Sequence, residues 1–110
     1  MLEPALLLLL HHGPAHGYTF LDSLSEYGIE DLNPSVVYRT LRDMETRGLI
    51  ESSWDDTTSH GPPRRVYRIT PEGDRMLAFH SDQLTHARHM IDHLLTAYRN
   101  HMREHHDQHS

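Results

Sequence analysis

Residues 33–48, Asn-Pro-Ser-Val-Val-Tyr-Arg-Thr-Leu-Arg-Asp-Met-Glu-Thr-Arg-Gly, constrain this chain more than any other stretch. Asn33 is a strong helix N-cap, because its side-chain oxygen can accept from an orphan N–H of the first turn. Pro34 follows at the first helical position, where a missing N–H costs nothing and the fixed φ suits the helix. Arg47 sits near the negative C-terminal end, and Gly48 supplies a left-handed cap. The pattern predicts one helix with both ends defined. At about 100° per residue, Val37, Leu41 and Met44 share one side. Ser35, Arg39, Arg42 and Thr46 lie roughly opposite, with Tyr38 on the flank. One side is made for burial; the other offers guanidinium groups, hydroxyls and an aromatic edge.

The flanks place this helix in a small domain. Residues 4–12 read as a helix that opens on Pro4 and is apolar on every side from Ala5 to Leu10, so it must be enclosed on most sides. Gly13-Pro14 breaks it. A second helix is expected from about His16 to Tyr27, with Phe20, Leu21 and Leu24 as its inner stripe and Gly28 as its stop. Residues 29–32 connect it to the helix at Pro34. Two helices joined by a tight connector, the second with polar outward positions, form a helix-turn-helix. After Gly48 the period changes. Residues 49–54 and 65–69 are β-prone, and the separator 55–64 contains Pro62 and Pro63, which cannot donate to a ladder; it is read as a hairpin tip. The expected fold class is mainly α with a small β-hairpin, a winged helix-turn-helix.

Thr70-Pro71 caps a last helix, with Glu72 and Asp74 well placed in its first turn. No Pro or Gly follows Gly73, so the helix can run some thirty residues. Leu77, Leu84, Ile91 and Tyr98 recur every seven positions, and Ala87 and Leu94 fill the alternate positions, which makes a heptad seam. Its simplest partner is the same helix of a second copy. The expected organisation is a winged helix-turn-helix over 1–70, a long C-terminal dimerisation helix over 71–104 and a polar tail over 105–110. An apolar content of only 36% gives one chain a modest core, which pairing would supplement.

A net charge of −6 argues against a general nucleic-acid binder. The distribution softens the objection. All ten basic residues are arginine, and six of them fall in residues 33–70 against five acids, so that window carries +1 and the rest −7. The chain contains no cysteine, which excludes thiolate metal sites and fits a reducing cytoplasm. The apolar run near the start is too short for a signal peptide, and no stretch approaches the ~20 apolar residues that span a bilayer. There is no nucleophile–base arrangement and no glycine-rich phosphate loop, so an enzyme is not expected, nor is a cofactor.

Twelve histidines raise a metal hypothesis. His86, His89 and His93 share a helix face by their spacing, and imidazole suits Zn, Ni or Cu. They fall outside the seam, and three ligands from one helix rarely close a tetrahedron unaided, so a solvated face is the preferred reading. His80 and His101 occupy seam positions, where protonation would set like charges together across a paired helix. His105, His106 and His109 belong to the tail.

Three segments together carry a family resemblance: LLLLLHHGPAHGYTF (6–20), NPSVVYRTLRDMETRGLIE (33–51) and GPPRRVYRITPEG (61–73). In that order and spacing the chain resembles PadR-like transcriptional regulators over nearly its whole length, in the short subfamily with a single C-terminal helix. The resemblance implies a dimeric repressor on a palindromic operator, paired mainly through N- and C-terminal helices, and in many members released by a small molecule. It places the helix from Pro34 in the major groove, with Ser35, Val36, Tyr38, Arg39 and Arg42 toward DNA and Tyr38-Arg39 matching the family's Tyr-Arg pair. Gly61, Pro62, Pro63 and Arg64 match its wing. Arg39 and Arg42 are spaced for a bidentate contact to guanine or for two phosphates. Tyr38 could instead pack beside Leu41, and Arg65 and Arg68 could pair with Asp55 or Asp56 rather than meet DNA. The competing functions are a His-rich metal-binding protein and a winged-helix protein–protein module.

Overall fold

The structure, a computed structural model, describes residues 1–29, 32–55 and 64–108, with side chains described as far as His105. Four α-helices and a three-stranded antiparallel sheet follow one another as α1 (Leu2–His12), β1 (Ala15–His16), α2 (Phe20–Glu26), α3 (Pro34–Thr46), β2 (Ile50–Asp55), β3 (Arg64–Ile69) and α4 (Pro71–Gln108). The expected hairpin tip, with Gly61, Pro62 and Pro63, lies outside the described residues, as do part of the 29–32 connector and the side chains of His106 and His109. The chain divides into two units, Met1–Ala78 and Phe79–Ser110.

In the first unit the leucine run of α1 does what its all-round apolarity requires. Leu6, Leu7 and Leu10 are fully buried, joined by Phe20 and Leu24 of α2 and by Val37, Leu41 and Met44 of α3. Leu49, Ile50 and Tyr67 close this core from the sheet side, with the Phe20 and Tyr67 rings meeting edge-on at 5.8 Å. Burying each such side chain stabilises the fold by roughly 1.5–3 kcal/mol. Leu77, expected in the dimer seam, is half-buried and packs with Met76 against this same core.

α3 is built as its sequence requires. Asn33 Oδ1 accepts from the Ser35 N–H at 2.9 Å. At the other end Gly48 adopts φ 77°, and the Gly48 and Leu49 N–H groups donate to the Glu45 and Met44 carbonyls at 3.0 and 2.9 Å. This crossed pair closes the helix and turns the chain directly into β2. Arg47 donates to Asp43 and to Glu3, fastening the end of α3 to the start of α1. The hydrogen bond that its guanidinium donates to Glu3 holds it above the ordinary pKa, against the opposing effect of partial burial.

Two local expectations are corrected. The segment expected to be one helix from His16 to Tyr27 is divided: Ala15–His16 is extended and pairs with β3, Gly17–Thr19 forms a 3₁₀ turn, and only Phe20–Glu26 is α-helical. The hairpin consequently becomes a three-stranded sheet of order β1-β3-β2. Pro14 favours an extended chain at its own position and before it, and the β3 edge offers unpaired donors that two residues can satisfy. In addition, α4 continues to Gln108, past position 104. Nothing in the tail sequence stops a helix, since Gly and Pro are absent from it.

The start of α4 is locked to the sheet. Thr70 N–H donates to Leu49 O at 3.1 Å, its hydroxyl donates to Gly48 O at 2.6 Å, and the same hydroxyl accepts from Gly73 N–H at 3.1 Å. In the second unit, every residue of α4 from Ser81 to His105 is exposed in the single chain, including Leu84, Ala87, Ile91, Leu94 and Tyr98. Among the described residues no helix is long and apolar enough to cross a membrane.

Candidate nucleic-acid interface

The side of α3 opposite Val37, Leu41 and Met44 carries Ser35, Arg39, Arg42 and Thr46, all exposed. Arg39 and Arg42 form no side-chain hydrogen bond or ion pair among the described residues. Other arginines in this unit are engaged: Arg47 with Glu3 and Asp43, Arg64 with Tyr18, Arg65 with Ser52, Arg68 with Ser53 and Arg75 with Glu72. Two unengaged guanidinium groups one turn apart are a standing capacity for anionic or base-edge partners. Val36 is half-buried on the edge of this face, and its carbonyl accepts from the Thr40 hydroxyl at 2.8 Å.

Tyr38 is 39% exposed, and its ring lies against Gly17. A Cβ at Gly17 would lie 3.0 Å from Tyr38 Cε1 and 3.5 Å from Tyr67 Cε2. The glycine therefore lets the 3₁₀ turn approach two tyrosine rings at once. Its place in the HGY sequence gave no sign of this, because the approach joins residues distant in the chain.

The sheet register sorts the wing arginines by face, since directly opposed residues point the same way. Ile50 faces Ile69, Ser52 faces Tyr67 and Trp54 faces Arg65, and this is the face on which α3 lies. Glu51 with Arg68, Ser53 with Val66 and Asp55 with Arg64 occupy the other face. Arg64 donates to the Tyr18 hydroxyl at 3.0 Å and lies over that ring, which in turn stacks on His16. His16 Nε2 is 3.4 Å from Asp55 Oδ2. Arg64 thus belongs to a cluster that ties β1 to the base of the wing. Arg65 and Arg68 donate to Ser52 and Ser53; Asp56, one of the acids considered from the sequence, lies outside the described residues.

Between α3 and the sheet lies a cleft of about 380 Å³ lined by Tyr38, Arg42, Glu45, Arg65 and Tyr67. Burial pushes the Tyr67 phenol above its ordinary pKa; the Arg65 and Arg42 charges oppose the rise, and Glu45 and Tyr38 add to it. The phenol therefore stays a neutral donor at physiological pH. Of the cleft residues, Glu45 and Tyr67 were absent from the sequence-derived set. His86, His89 and His93 lie exposed along one side of α4, and among the described residues no group of three or more His, Cys, Asp or Glu side chains converges to hold a metal ion.

Comparison with known proteins agrees with this geometry. Residues 6–79 match the description of the transcriptional regulator PadR-like family. Among solved structures, a conserved protein of unknown function described as a potential transcriptional factor is 34% identical, with a TM-score of 0.80 over 93% of this chain and 90% of its own. A putative transcriptional regulator from Thermoplasma acidophilum is 33% identical, with a TM-score of 0.75 over 86% of this chain and 90% of its own. A PadR family transcriptional regulator from Eggerthella lenta DSM 2243 is 34% identical, with a TM-score of 0.68 over 81% and 79%. Comparison with the sequences of curated proteins finds no match. A winged helix with a capped, arginine-bearing third helix, matched by family and by structure alike, makes this chain a member of the PadR-like family of transcriptional regulators, and so a protein of DNA-binding regulation.

Proposed function

We propose that the chain is a repressor acting in the cytoplasm, which binds a palindromic operator as a homodimer and is released by a small molecule. The observation that carries the reading is the outward face of α3, where Arg39 and Arg42 are exposed with no side-chain partner among the described residues, while Val37, Leu41 and Met44 on the opposite face are buried. In this reading residues 1–70 meet DNA, through Ser35, Val36, Tyr38, Arg39 and Arg42 on α3 and through Gly61, Pro62, Pro63 and Arg64 in the wing. Residues 71–104 pair two copies. Leu84, Ile91, Leu94 and Tyr98 are 39%, 55%, 68% and 63% exposed in the single chain, a heptad stripe of a kind that a second copy covers. A two-fold dimer places its two α3 helices on successive turns of the same duplex side, about 34 Å apart, and so reads a palindrome.

The test is selection of bound duplexes from a random pool, followed by sedimentation of the chain alone and of an Ile91→Asp/Leu94→Asp variant. The expected result is a palindromic site, a dimeric wild type and a monomeric variant with much weaker operator binding. Recovery of no preferred sequence, or a monomeric wild type that binds DNA fully, would overturn the reading.

A further inference from the structure

The notion that Arg39 and Arg42 act as a like pair fails on their placement. At about 100° per residue Arg42 lies some 60° round α3 from Arg39, on the side of Tyr38 and Glu45. It therefore turns toward the sheet and lines the cleft that Arg65 lines from the other side. Arg39 stays on the outer crest, beside Ser35 and Thr46.

Arg65 is held in place by a short relay. Its Nη1 donates to Ser52 Oγ at 2.7 Å, and Ser52 Oγ donates to Glu45 Oε1 at 2.6 Å. Its guanidinium carbon lies 4.7 Å from the centre of the Trp54 ring, close enough for a cation–π contact. A guanidinium has five donors, so the relay leaves most of them available. Glu45 also lines the cleft and accepts from Ser52, and its single negative charge is outnumbered there by the Arg42 and Arg65 guanidinium groups. Two guanidinium forks and the phenols of Tyr38 and Tyr67 thus surround one opening, a donor set suited to the tetrahedral oxygens of a phosphate.

Building on the DNA-binding reading, we infer that this cleft seats one phosphodiester of the DNA backbone between Arg42 and Arg65, fixing the register of α3 and leaving Arg39 to read base edges. Ser52 and Glu45 are positioning residues: Ser52 holds Arg65 and Glu45 holds Ser52. Phosphate contacts fix orientation without carrying sequence information, so the two arginines on α3 have different work.

The experiment measures affinity of the full chain for its selected operator and for a random duplex across a salt series. Variants are Arg39→Gln, Arg42→Gln, Arg65→Gln, Arg65→Lys and Ser52→Ala. Arg42→Gln and Arg65→Gln are expected to weaken both duplexes alike, by about tenfold per bound copy, and to reduce the salt slope by about one per copy. Arg65→Lys, which keeps the charge, should keep the slope with part of the affinity lost. Ser52→Ala should weaken binding with the slope unchanged. Arg39→Gln should weaken the operator alone. Trp54 is the only tryptophan, so its emission should change on duplex binding in wild type and much less in Arg65→Gln.

If Arg42→Gln or Arg65→Gln alters the preference between the duplexes at unchanged slope, those side chains read bases and the inference is wrong. A Trp54 response to inorganic phosphate with none to DNA would assign the cleft to a free anion and also overturn it. A wild type with no salt-dependent duplex binding would sink the regulator reading itself, a different outcome from a normal wild type with indifferent variants.

Discussion

Replacing Gly73 by alanine tests how tightly the first turn of α4 is joined to the sheet. By intrinsic propensity the change should help, since alanine within a helix is about 1 kcal/mol better than glycine. The structure gives the opposite sign. A Cβ at this position would sit 2.0 Å from the Leu49 carbonyl oxygen and 2.6 Å from Ile69 Cγ1. Real Cβ atoms essentially never come within 3.0 Å of a heavy atom, so backbone must separate by about 1 Å. That oxygen also accepts the Thr70 N–H at 3.1 Å, and the separation strains the bond. Overpacking costs roughly 1–3 kcal/mol and a weakened hydrogen bond about 1. Set against the propensity gain, the net loss is about 2 kcal/mol, which for a unit of this size lowers Tm by roughly 8–16 °C. The assay is thermal unfolding followed by circular dichroism at fixed chain concentration, with Ala78→Gly, an exposed position in the same helix, as the comparison. That control loses about 1 kcal/mol through propensity alone. If Gly73→Ala melts at or above wild type, the reasoning about this junction is refuted.

Arg39→Ala should leave unfolding within about 0.5 kcal/mol of wild type, because the side chain is exposed and unengaged, while operator binding falls by about 1–3 kcal/mol per contacted half-site. Undiminished mobility shifts would count against its role. For Tyr67→Phe the effect depends on pH. Below about pH 10 the Tyr67 phenol is protonated in both folded and unfolded chains, so its contribution is fully present. As pH rises further the unfolded phenol ionises first, because burial holds the folded one higher, and stability falls until the folded phenol also ionises. Urea titrations of the phenylalanine variant should therefore show a shallower alkaline decline than wild type; identical slopes would contradict the shift.

What was legible in the sequence was local. α3 could be read because its cap, its proline, its buried stripe and its terminal glycine lie within sixteen consecutive residues and agree with one another. β1 was not legible, because a two-residue strand has no period and exists only through pairing with Val66 and Tyr67, some fifty residues away. Gly17 and Gly73 are likewise understood only through their neighbours in space. The wing arginines show the boundary between the two kinds of knowledge. Alternation says that Arg64 and Arg65 point to opposite faces, but only the register Trp54↔Arg65 says which of them lies on the α3 side.

The placement of these charges also explains how an acidic chain can address a polyanion. Long-range attraction depends on net charge, and at −6 it is unfavourable. Contact energy depends on which groups stand at the surface. Arg47 is absorbed by Glu3 and Asp43, and Arg64 turns to Tyr18 on the other face of the sheet. Glu45, which lines the cleft, accepts from Ser52 and is outnumbered there by Arg42 and Arg65. What remains on the α3 side is Arg39, Arg42 and Arg65, three cations whose positions are fixed by a capped helix and a paired strand. A surface of this kind gains little from steering and much from correct docking. Non-specific affinity, which is almost wholly counterion release, should then be weak with a small salt slope, while the correct sequence adds base contacts that salt affects little. Specificity in such a protein comes from keeping the electrostatic contribution small, so that a few placed groups decide where it binds.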